Sequence, residues 1–369
     1  MATSVEAKKL AEDMARMFKE SQGAASSAPE EKKAKGKKKE DPLFNPVTSN
    51  TDGMLSYEEI VGEKHPDGKE RWYPEGIRHK RDEWPTFMAD RIPEDMPWYV
   101  PDHRLLPMLL DSMAYDKIPK IYGHPGAGKD TDLEWLCNRL NMPYTREDGK
   151  EGIEIFNIVG GMIPDGTGDW VESKGLLWLF VEHGGLYVRS EPDVVPAGVG
   201  MLFQSLYEPK RILQIPDHPD PEKSRLRAHR NFRIALTSNT RGTGDNADMY
   251  TATTVQDASN LNRIDKFGYK DYMPEDKEVE MLQKSFPDIT PRFARKMVLL
   301  GNQIRSGWKA GEIELAFSPR QLMEWAETAL RDGEPVRGFK ECYYNVLNDD
   351  ERGAVRESWN HVDFGCPLV

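Results

Sequence analysis

Along the middle of the chain, segments with helical spacing of apolar residues alternate with short apolar runs. Helical spacing covers residues 105–113 and 132–140. Short runs of the kind that form buried strands occupy residues 118–122, 185–188, 211–215 and 232–237. This alternation predicts an α/β core, which we place at residues 99–272.

After residue 273 the pattern is helical only. Helical spacing covers four segments, residues 275–286, 291–308, 318–332 and 349–362. The sequence therefore predicts an all-helical lid over residues 273–369, following the α/β core.

The N-terminal part of the chain lacks comparable patterns. Residues 5–20 fit one short amphipathic helix, but an Ala/Ser/Pro-rich and then lysine-rich stretch follows, with too little apolar surface to order itself. We therefore predict a flexible tail over residues 1–41. Its lysines could hold a nucleic acid or an acidic partner, whereas the acidic residues that flank them favour a solvated linker. These lysines are Lys32, Lys33, Lys35, Lys37, Lys38 and Lys39.

Residues 42–98 are rich in proline, aromatic and charged residues without a sustained period. They predict an extended arm or a small appended element. Aromatic side chains at this density need cover, so we expect Trp72, Tyr73 and Trp84 to dock on the core or on a neighbouring subunit.

Composition narrows the class of protein. The chain has 369 residues, of which 38% are hydrophobic and 30% charged, and this suits a globular protein. Because it shows no apolar stretch of membrane-spanning length and no secretory signal, we expect a cytoplasmic protein. A formal net charge of -12 argues against nucleic-acid binding outside the lysine-rich tail. The three cysteines lack metal-ligand spacing, which disfavours a zinc site.

The strongest chemical signal is a glycine-rich loop between a predicted strand and a predicted helix. It reads Gly123-His124-Pro125-Gly126-Ala127-Gly128-Lys129. In this setting backbone N–H groups surround phosphate oxygens, the helix N-terminus adds positive potential, and the lysine reaches the terminal phosphates. The spacing and its context predict a phosphate-binding loop for a nucleotide; a purely structural glycine turn is the alternative.

Asp130 departs from that motif. The motif has Ser or Thr after the lysine, to hold Mg²⁺ through a hydroxyl, whereas here Thr131 comes one position too late. A carboxylate about 4 Å from a phosphate charge costs on the order of 4 kcal/mol at an effective dielectric constant of about 20. Three interpretations remain open: Asp130 weakens nucleotide binding, it ligates Mg²⁺ directly, or the loop folds without binding nucleotide.

Motifs on both sides of this loop carry a family resemblance. They are IPEDMPWYVPD at 92–102, LCNRLNMP at 136–143, TSNTRGTGD at 237–245, LNRIDKFG at 261–268 and SPRQLMEWAETA at 318–329. In this order, and over most of the chain, the sequence resembles the ATPase subunit of aerobic cobaltochelatase, in the MoxR-like branch of AAA+ proteins. The resemblance implies an AAA+ fold, with a P-loop parallel sheet flanked by helices and the helical lid after it.

The resemblance also implies roles for three residues outside the loop. Asn239 stands where the family has a sensor that orients the attacking water or contacts the γ-phosphate. Arg263 stands at the arginine-finger position, which reaches the nucleotide of a neighbouring subunit, and Arg320 at the lid position that contacts the phosphates. Taken without the family, Asn239 fits a strand-end turn and the two arginines fit surface ion pairs.

Cofactors and partners follow from the resemblance in the same way. It implies ATP and Mg²⁺, a homo-oligomeric ring with a hexamer favoured, and partner subunits that include a metal-binding adhesion-type, von Willebrand A-like domain. Nothing in the sequence identifies a client.

A second departure concerns catalysis. After the strand at 185–188 the family has an Asp-Glu pair that positions Mg²⁺ and polarises the attacking water, and this chain has Arg189 and Ser190 there. Glu191 and Asp193 are near but out of register, and Pro192 prevents the strand from continuing. Two functions therefore remain open: an active ring motor that remodels or loads a partner, and a catalytically degenerate scaffold with weak or no ATP hydrolysis.

Overall fold

The computed structural model describes residues 51–215, 218–242 and 258–368. The predicted tail at 1–41 and the first residues of the predicted arm lie outside these ranges. From Thr51 onward the described residues form one compact unit. The boundaries expected near residues 98 and 272 stay predictions.

The strands run in chain order as β1 (Met54–Ser56), β2 (Trp72–Pro74), β3 (Pro119–Gly123), β4 (Tyr144–Asp148), β5 (Gly160–Pro164), β6 (Trp170–Lys174), β7 (Gly185–Ser190), β8 (Ile212–Gln214), β9 (Arg225–Arg227), β10 (Phe232–Ser238) and β11 (Lys266–Lys270). The α-helices are α1 (Tyr57–Val61), α2 (Thr86–Ala89), α3 (Leu106–Ala114), α4 (Lys129–Arg139), α5 (Ile155–Val159), α6 (Leu176–His183), α7 (Ala197–Leu202), α8 (Gln204–Tyr207), α9 (Ala258–Leu261), α10 (Glu275–Ser285), α11 (Pro291–Lys309), α12 (Pro319–Asp332), α13 (Pro335–Cys342) and α14 (Asp349–Val362). No helix in the described ranges is long and apolar enough to span a membrane.

Five strands form a parallel sheet in the order β11-β3-β10-β7-β4. The strand before the glycine-rich loop, β3, lies between β11 and β10. Because the strands are parallel, their carboxyl ends meet at one edge, and ligands of open α/β sheets bind outside that edge. The prediction of an α/β core with a parallel sheet is confirmed.

Three parts of the sheet differ from the sequence pattern. The run at 211–215 forms β8, but β8 pairs with β9 in a separate antiparallel pair. The sequence pattern missed β4 and β11, which are the two edge strands of the main sheet. Both contain several polar residues, because an edge strand does not need an apolar residue at every position.

Two apolar clusters cover the two faces of this sheet. Leu186 and Val188 of β7 belong to the cluster that contains Leu109 of α3. Tyr187, between them, belongs to the cluster that contains Phe180 of α6. This division follows from the alternation of side chains along a strand.

Aromatic residues of the predicted arm dock on this core. Tyr73 is 2% exposed and joins the cluster of Leu109. Trp84 joins the cluster of Phe180, and its indole N–H donates a hydrogen bond of 2.8 Å to the carbonyl of Asn141. Described residues of the arm therefore contribute to the core itself.

The helices from α10 onward pack around a third apolar cluster, which confirms the predicted all-helical region. Its centre holds large aromatic side chains, including Phe317, Trp325 and Trp359, each no more than 1% exposed. Ala127 of the glycine-rich loop belongs to the same cluster. The helical region therefore contacts the loop directly.

A buried ion pair joins two helices of this region. The carboxylate of Glu278 on α10 accepts two hydrogen bonds from the guanidinium of Arg305 on α11, at 2.7 and 2.8 Å. Arg305 also donates from Nε to the carbonyl of Phe317 at 2.7 Å. Burial raises the pKa of Glu278, and the charge of Arg305 opposes that rise.

We expect Glu278→Ala to lower the free energy of unfolding by about 3–5 kcal/mol, because it leaves a buried guanidinium without its counter-charge. Glu278→Leu combined with Arg305→Met should recover most of that loss, since it removes both charges. Urea denaturation of the three proteins measures both effects. A loss below about 1 kcal/mol in the single variant, the size of an exposed pair, would contradict this assignment.

Candidate functional site

The glycine-rich loop leaves β3 and ends where α4 begins. Gly126 and Gly128 have φ angles of +70° and +85°, a region that side chains rarely adopt. A Cβ atom at Gly126 would also lie 2.5 Å from the Cβ of Ser318, which caps α12. Glycine is therefore required at Gly126 by both backbone conformation and space.

The ammonium group of Lys129 is folded back onto the loop. It donates to the carbonyls of Gly123 and His124 at 2.8 and 3.2 Å, and to Oδ1 of Asn239 at 2.9 Å. Lys129 is only 7% exposed, and this burial lowers its pKa. The structure thus brings Asn239, at the end of β10, against the loop lysine.

The carboxylate of Asp130 is held from two sides. Its Oδ1 accepts a hydrogen bond of 2.7 Å from the hydroxyl of Thr237 on β10. Its Oδ2 lies 3.1 Å from Nη1 of Arg146 on β4. The residue that departs from the loop motif therefore has a hydroxyl and a cation as partners.

Glu191 reaches the same edge of the sheet. It follows β7 directly, with a left-handed backbone at φ +49°, and its Oε2 accepts the backbone N–H of Asn239 at 3.2 Å. Burial raises the pKa of Glu191, while this hydrogen bond and the charge of Lys129 lower it. The sequence places Glu191 near the strand end but out of register, and its carboxylate contacts the backbone of Asn239, whose side chain accepts from Lys129. The signal was its position immediately after the strand.

The other polar residues after β7 have different roles. The guanidinium of Arg189 lies 3.6 Å from the ring centre of Phe203 and donates to the hydroxyl of Tyr207 at 2.9 Å. Asp193 is fully buried and pairs with Nζ of Lys120 at 3.1 Å. Both side chains are engaged in the interior.

A cavity of about 560 Å³ opens in front of the loop. Its loop side is formed by residues 126–131, so Thr131 lines it together with Lys129 and Asp130. The remaining walls include Trp98, Met281, Met323, Arg146 and Arg320. The cavity therefore combines charged side chains of both signs with an apolar wall.

Arg320 enters the cavity from the first turn of α12. Within the described part of the chain its guanidinium forms no ion pair. Gly123, His124 and Pro125, predicted as binding residues, do not line the cavity. The ring of His124 instead packs against Tyr272 and Trp308, with ring centres 5.6 and 4.8 Å apart.

Arg263 lies apart from this cavity. Its Nε donates to Oε1 of Glu208 at 2.8 Å, beside a second cleft lined by Met201 and Gln204. Arg263 is not among the residues that line the cavity at the loop.

Among the described residues, no three His, Cys, Asp or Glu side chains come together as a ready-made metal site. Two carboxylates, Asp130 and Glu191, nevertheless interact with the charge of Lys129. Mg²⁺ prefers oxygen ligands and commonly takes only one or two carboxylates together with water and substrate phosphates. This donor set fits Mg²⁺ when a nucleotide supplies the remaining oxygens.

A strand, a glycine-rich loop, a helix and a buried lysine make up the local structure of a P-loop, in which Asp130 replaces the usual Ser or Thr. The chain resembles a MoxR-like AAA+ ATPase, and in particular an aerobic cobaltochelatase subunit. It is 26% identical over 284 residues to the aerobic cobaltochelatase subunit CobS of a Sinorhizobium species, covering 75% of this chain and 84% of that protein. It is also 25% identical over 249 residues to Midasin of Dictyostelium discoideum, covering 64% of this chain but 4% of Midasin. No family model matches the chain.

Solved structures similar to this chain include a putative ATPase from Cytophaga hutchinsonii, with a TM-score of 0.39 and 13% identity over 71% of this chain and 84% of that one. They also include the RuvB Holliday junction branch migration motor of Thermotoga maritima, with a TM-score of 0.41 and 11% identity over 73% of this chain and 72% of that one.

A partly buried carboxylate on the edge strand makes stability depend on pH. Burial raises the pKa of Glu147 to about 7, against the lowering effect of Arg189. The hydroxyl of Tyr187 donates a hydrogen bond to Glu147. Because the folded-state pKa lies above the unfolded value of 4.5, the folded protein binds the extra proton, and its contribution to stability is lost as the pH rises from 4.5 through 7.

We therefore expect Glu147→Gln to be more stable than the parent protein at pH 8, by up to about 3 kcal/mol, and to differ less at pH 5. Urea denaturation at the two pH values measures the difference. Glu151→Gln, at an exposed turn, is the matched control and should keep the parent's pH dependence. An unchanged pH dependence in Glu147→Gln would rule out this carboxylate as its source.

Proposed function

We propose that this chain binds and hydrolyses ATP with Mg²⁺, as a subunit of an AAA+ ring motor. The observation that carries the proposal is the position of Glu191, whose carboxylate meets the backbone of Asn239 next to Lys129. Phosphoryl transfer needs a group that orients the attacking water beside the terminal phosphate. Glu191 supplies a carboxylate at that edge of the sheet.

The remaining roles follow from the cavity. Loop N–H groups and the start of α4 bind phosphate oxygens, and Lys129 exchanges its internal acceptors for the terminal phosphates. Arg320 approaches them from the lid. The base lies against the apolar wall that includes Trp98 and Met323.

Asp130 is the residue we assign to Mg²⁺. A Mg²⁺ ion held there would neutralise charge on the phosphates. The carboxylate of Asp130 would then be a ligand and not a source of repulsion. Ser190 and Thr237 place hydroxyls at the ends of β7 and β10, whereas the carboxylate of Asp130 lies on the helix. The usual motif has the opposite arrangement, with the hydroxyl on the helix and the carboxylate on the strand.

Burial favours Glu191 as the general base. It raises the pKa of this carboxylate, and a base works best when its pKa approaches the working pH. Asn239 is placed to fix both Lys129 and the water. A non-hydrolysing scaffold is the second candidate, because Ser190 occupies a strand-end position at which the similar ATPases have a carboxylate.

We expect Glu191→Gln to retain ATP binding and to reduce turnover by a factor of about 10²–10⁴, because general-base catalysis contributes that much. Lys129→Ala should lose binding as well. Titration calorimetry and phosphate release measure the two quantities, with the exposed-site variant Glu151→Gln as control. Binding without turnover in the parent protein would establish the scaffold instead, and unchanged turnover in Glu191→Gln would exclude Glu191 as the base.

For assembly we propose a homo-oligomeric ring, with a hexamer favoured, in which Arg263 acts on the neighbouring subunit's nucleotide. Its separation from its own subunit's cavity supports this role. The similarity to a cobaltochelatase subunit suggests partner subunits, including one with a von Willebrand A-like domain. The client stays unidentified, because this chain's site binds the nucleotide and not the client.

Mixing two inactive variants tests the trans role of Arg263. Lys129→Ala keeps the finger but lacks nucleotide, and Arg263→Ala keeps nucleotide but lacks the finger. We expect each to be inactive alone and the mixture to recover part of the turnover, because mixed rings place an intact finger beside an intact site. Lys129→Ala mixed with the Lys129→Ala/Arg263→Ala double variant should stay inactive. No recovery, or a monomer by native mass measurement, would contradict the ring proposal.

A further inference from the structure

Arg146 is a cation of the cavity that the phosphate-loop motif does not include. It lies on the edge strand β4, and its Nη1 is 3.1 Å from Oδ2 of Asp130. Its Nη2 lies 2.6 Å from Oδ1 of Asp148. Arg146 and Asp130 both line the cavity, whereas Asp148 does not.

The charges around the cavity show why this arginine matters. The cavity is lined by three cationic and three acidic side chains, namely Lys129, Arg146, Arg320, Asp130, Asp132 and Glu134. Asp132 is already paired with Lys270 at 2.8 Å. Without Arg146, the hydrogen-bond donor left to Asp130 beside the phosphates among the described residues would be the uncharged hydroxyl of Thr237. A carboxylate and a phosphate that lie close together repel strongly where solvent is partly excluded.

We propose that Arg146 is the counter-charge that allows Asp130 to stand beside the phosphates of a bound nucleotide. Arg146 is a positioning residue: it acts through Asp130 and not by contact with the phosphates. Together the two side chains carry no net charge, and a polyphosphate binds more tightly while Arg146 offsets the charge of Asp130. This inference rests on the proposed nucleotide-binding function.

Exposure sets the size of the effect. The side chains of Arg146 and Asp130 are 39% and 25% exposed, so solvent and salt screen the pair in part. We therefore expect changes in dissociation constant of about tenfold and not of several hundredfold.

The test measures the dissociation constant of ADP without metal, in EDTA, so that Mg²⁺ does not neutralise Asp130. Arg146→Ala should weaken binding about tenfold, because it leaves Asp130 uncompensated. In the Asp130→Asn background the same arginine change should have an effect below about twofold. Arg146→Lys should restore part of the affinity, since it returns the charge.

Asp148→Asn is the matched control, because it removes a carboxylate that contacts the same arginine outside the cavity. It should leave ADP binding within about twofold of the parent, whereas Asp130→Asn should tighten it. Thermal denaturation of each variant shows whether a loss of ADP binding comes from a loss of fold. If Arg146 had a purely structural role, Asp130→Asn would not selectively restore ADP binding in the Arg146→Ala variant.

Two results would overturn the inference alone. One is an equal loss on Arg146→Ala with Asp130 present and with Asn in its place, which would make Arg146 a direct phosphate ligand. The other is an unchanged dissociation constant of ADP in Arg146→Ala, when the parent protein binds ADP and Lys129→Ala shows that the binding depends on Lys129. If the parent binds no nucleotide, or binds equally well after Lys129→Ala, the proposed function itself fails and the inference falls with it.

Discussion

The buried ammonium of Lys129 is the constraint on which the site depends. A charge that leaves water must find oxygen partners nearby, or its burial is too costly. Two of its partners are carbonyls of the loop, which holds the loop in its curved conformation. The third is Asn239, which ties β10 to the loop and presents its backbone N–H to Glu191. One buried charge thus brings together groups from three strands.

The same rule organises the layer beneath the loop. Lys120 on β3 is fully buried and pairs with Asp193, whose other oxygen accepts from the hydroxyl of Thr240 at 2.6 Å. Lys270 at the end of β11 lies between the carboxylates of Asp102 and Asp132. One pair links β3 to the segment after β7, and the other links the end of β11 to α4 and to the segment before α3.

Sequence reasoning recovered the parts of the fold that repeat a simple pattern. The loop at residues 123–129, the buried strand β10 and the long helices have apolar or glycine spacing that local rules identify. The edge strand β4 was missed because it carries several polar residues, of which Arg146 lines the cavity. The contact of Glu191 with Asn239 could not be predicted, because it depends on where β7 ends, and the pairing of Ser190 with Thr237 sets that end. A contact between residues so far apart along the chain leaves no local signal.

The contact between Gly126 and Ser318 has a mechanical consequence. Ser318 is the first support of α12, a rigid rod of 14 residues, and such a helix is about 21 Å long. Leu322, Trp325 and Ala326 of this helix are fully buried in the third apolar cluster, so α12 cannot move apart from the helices packed on it. A change in the shape of the loop at Gly126 is therefore passed to the whole helical region as a unit.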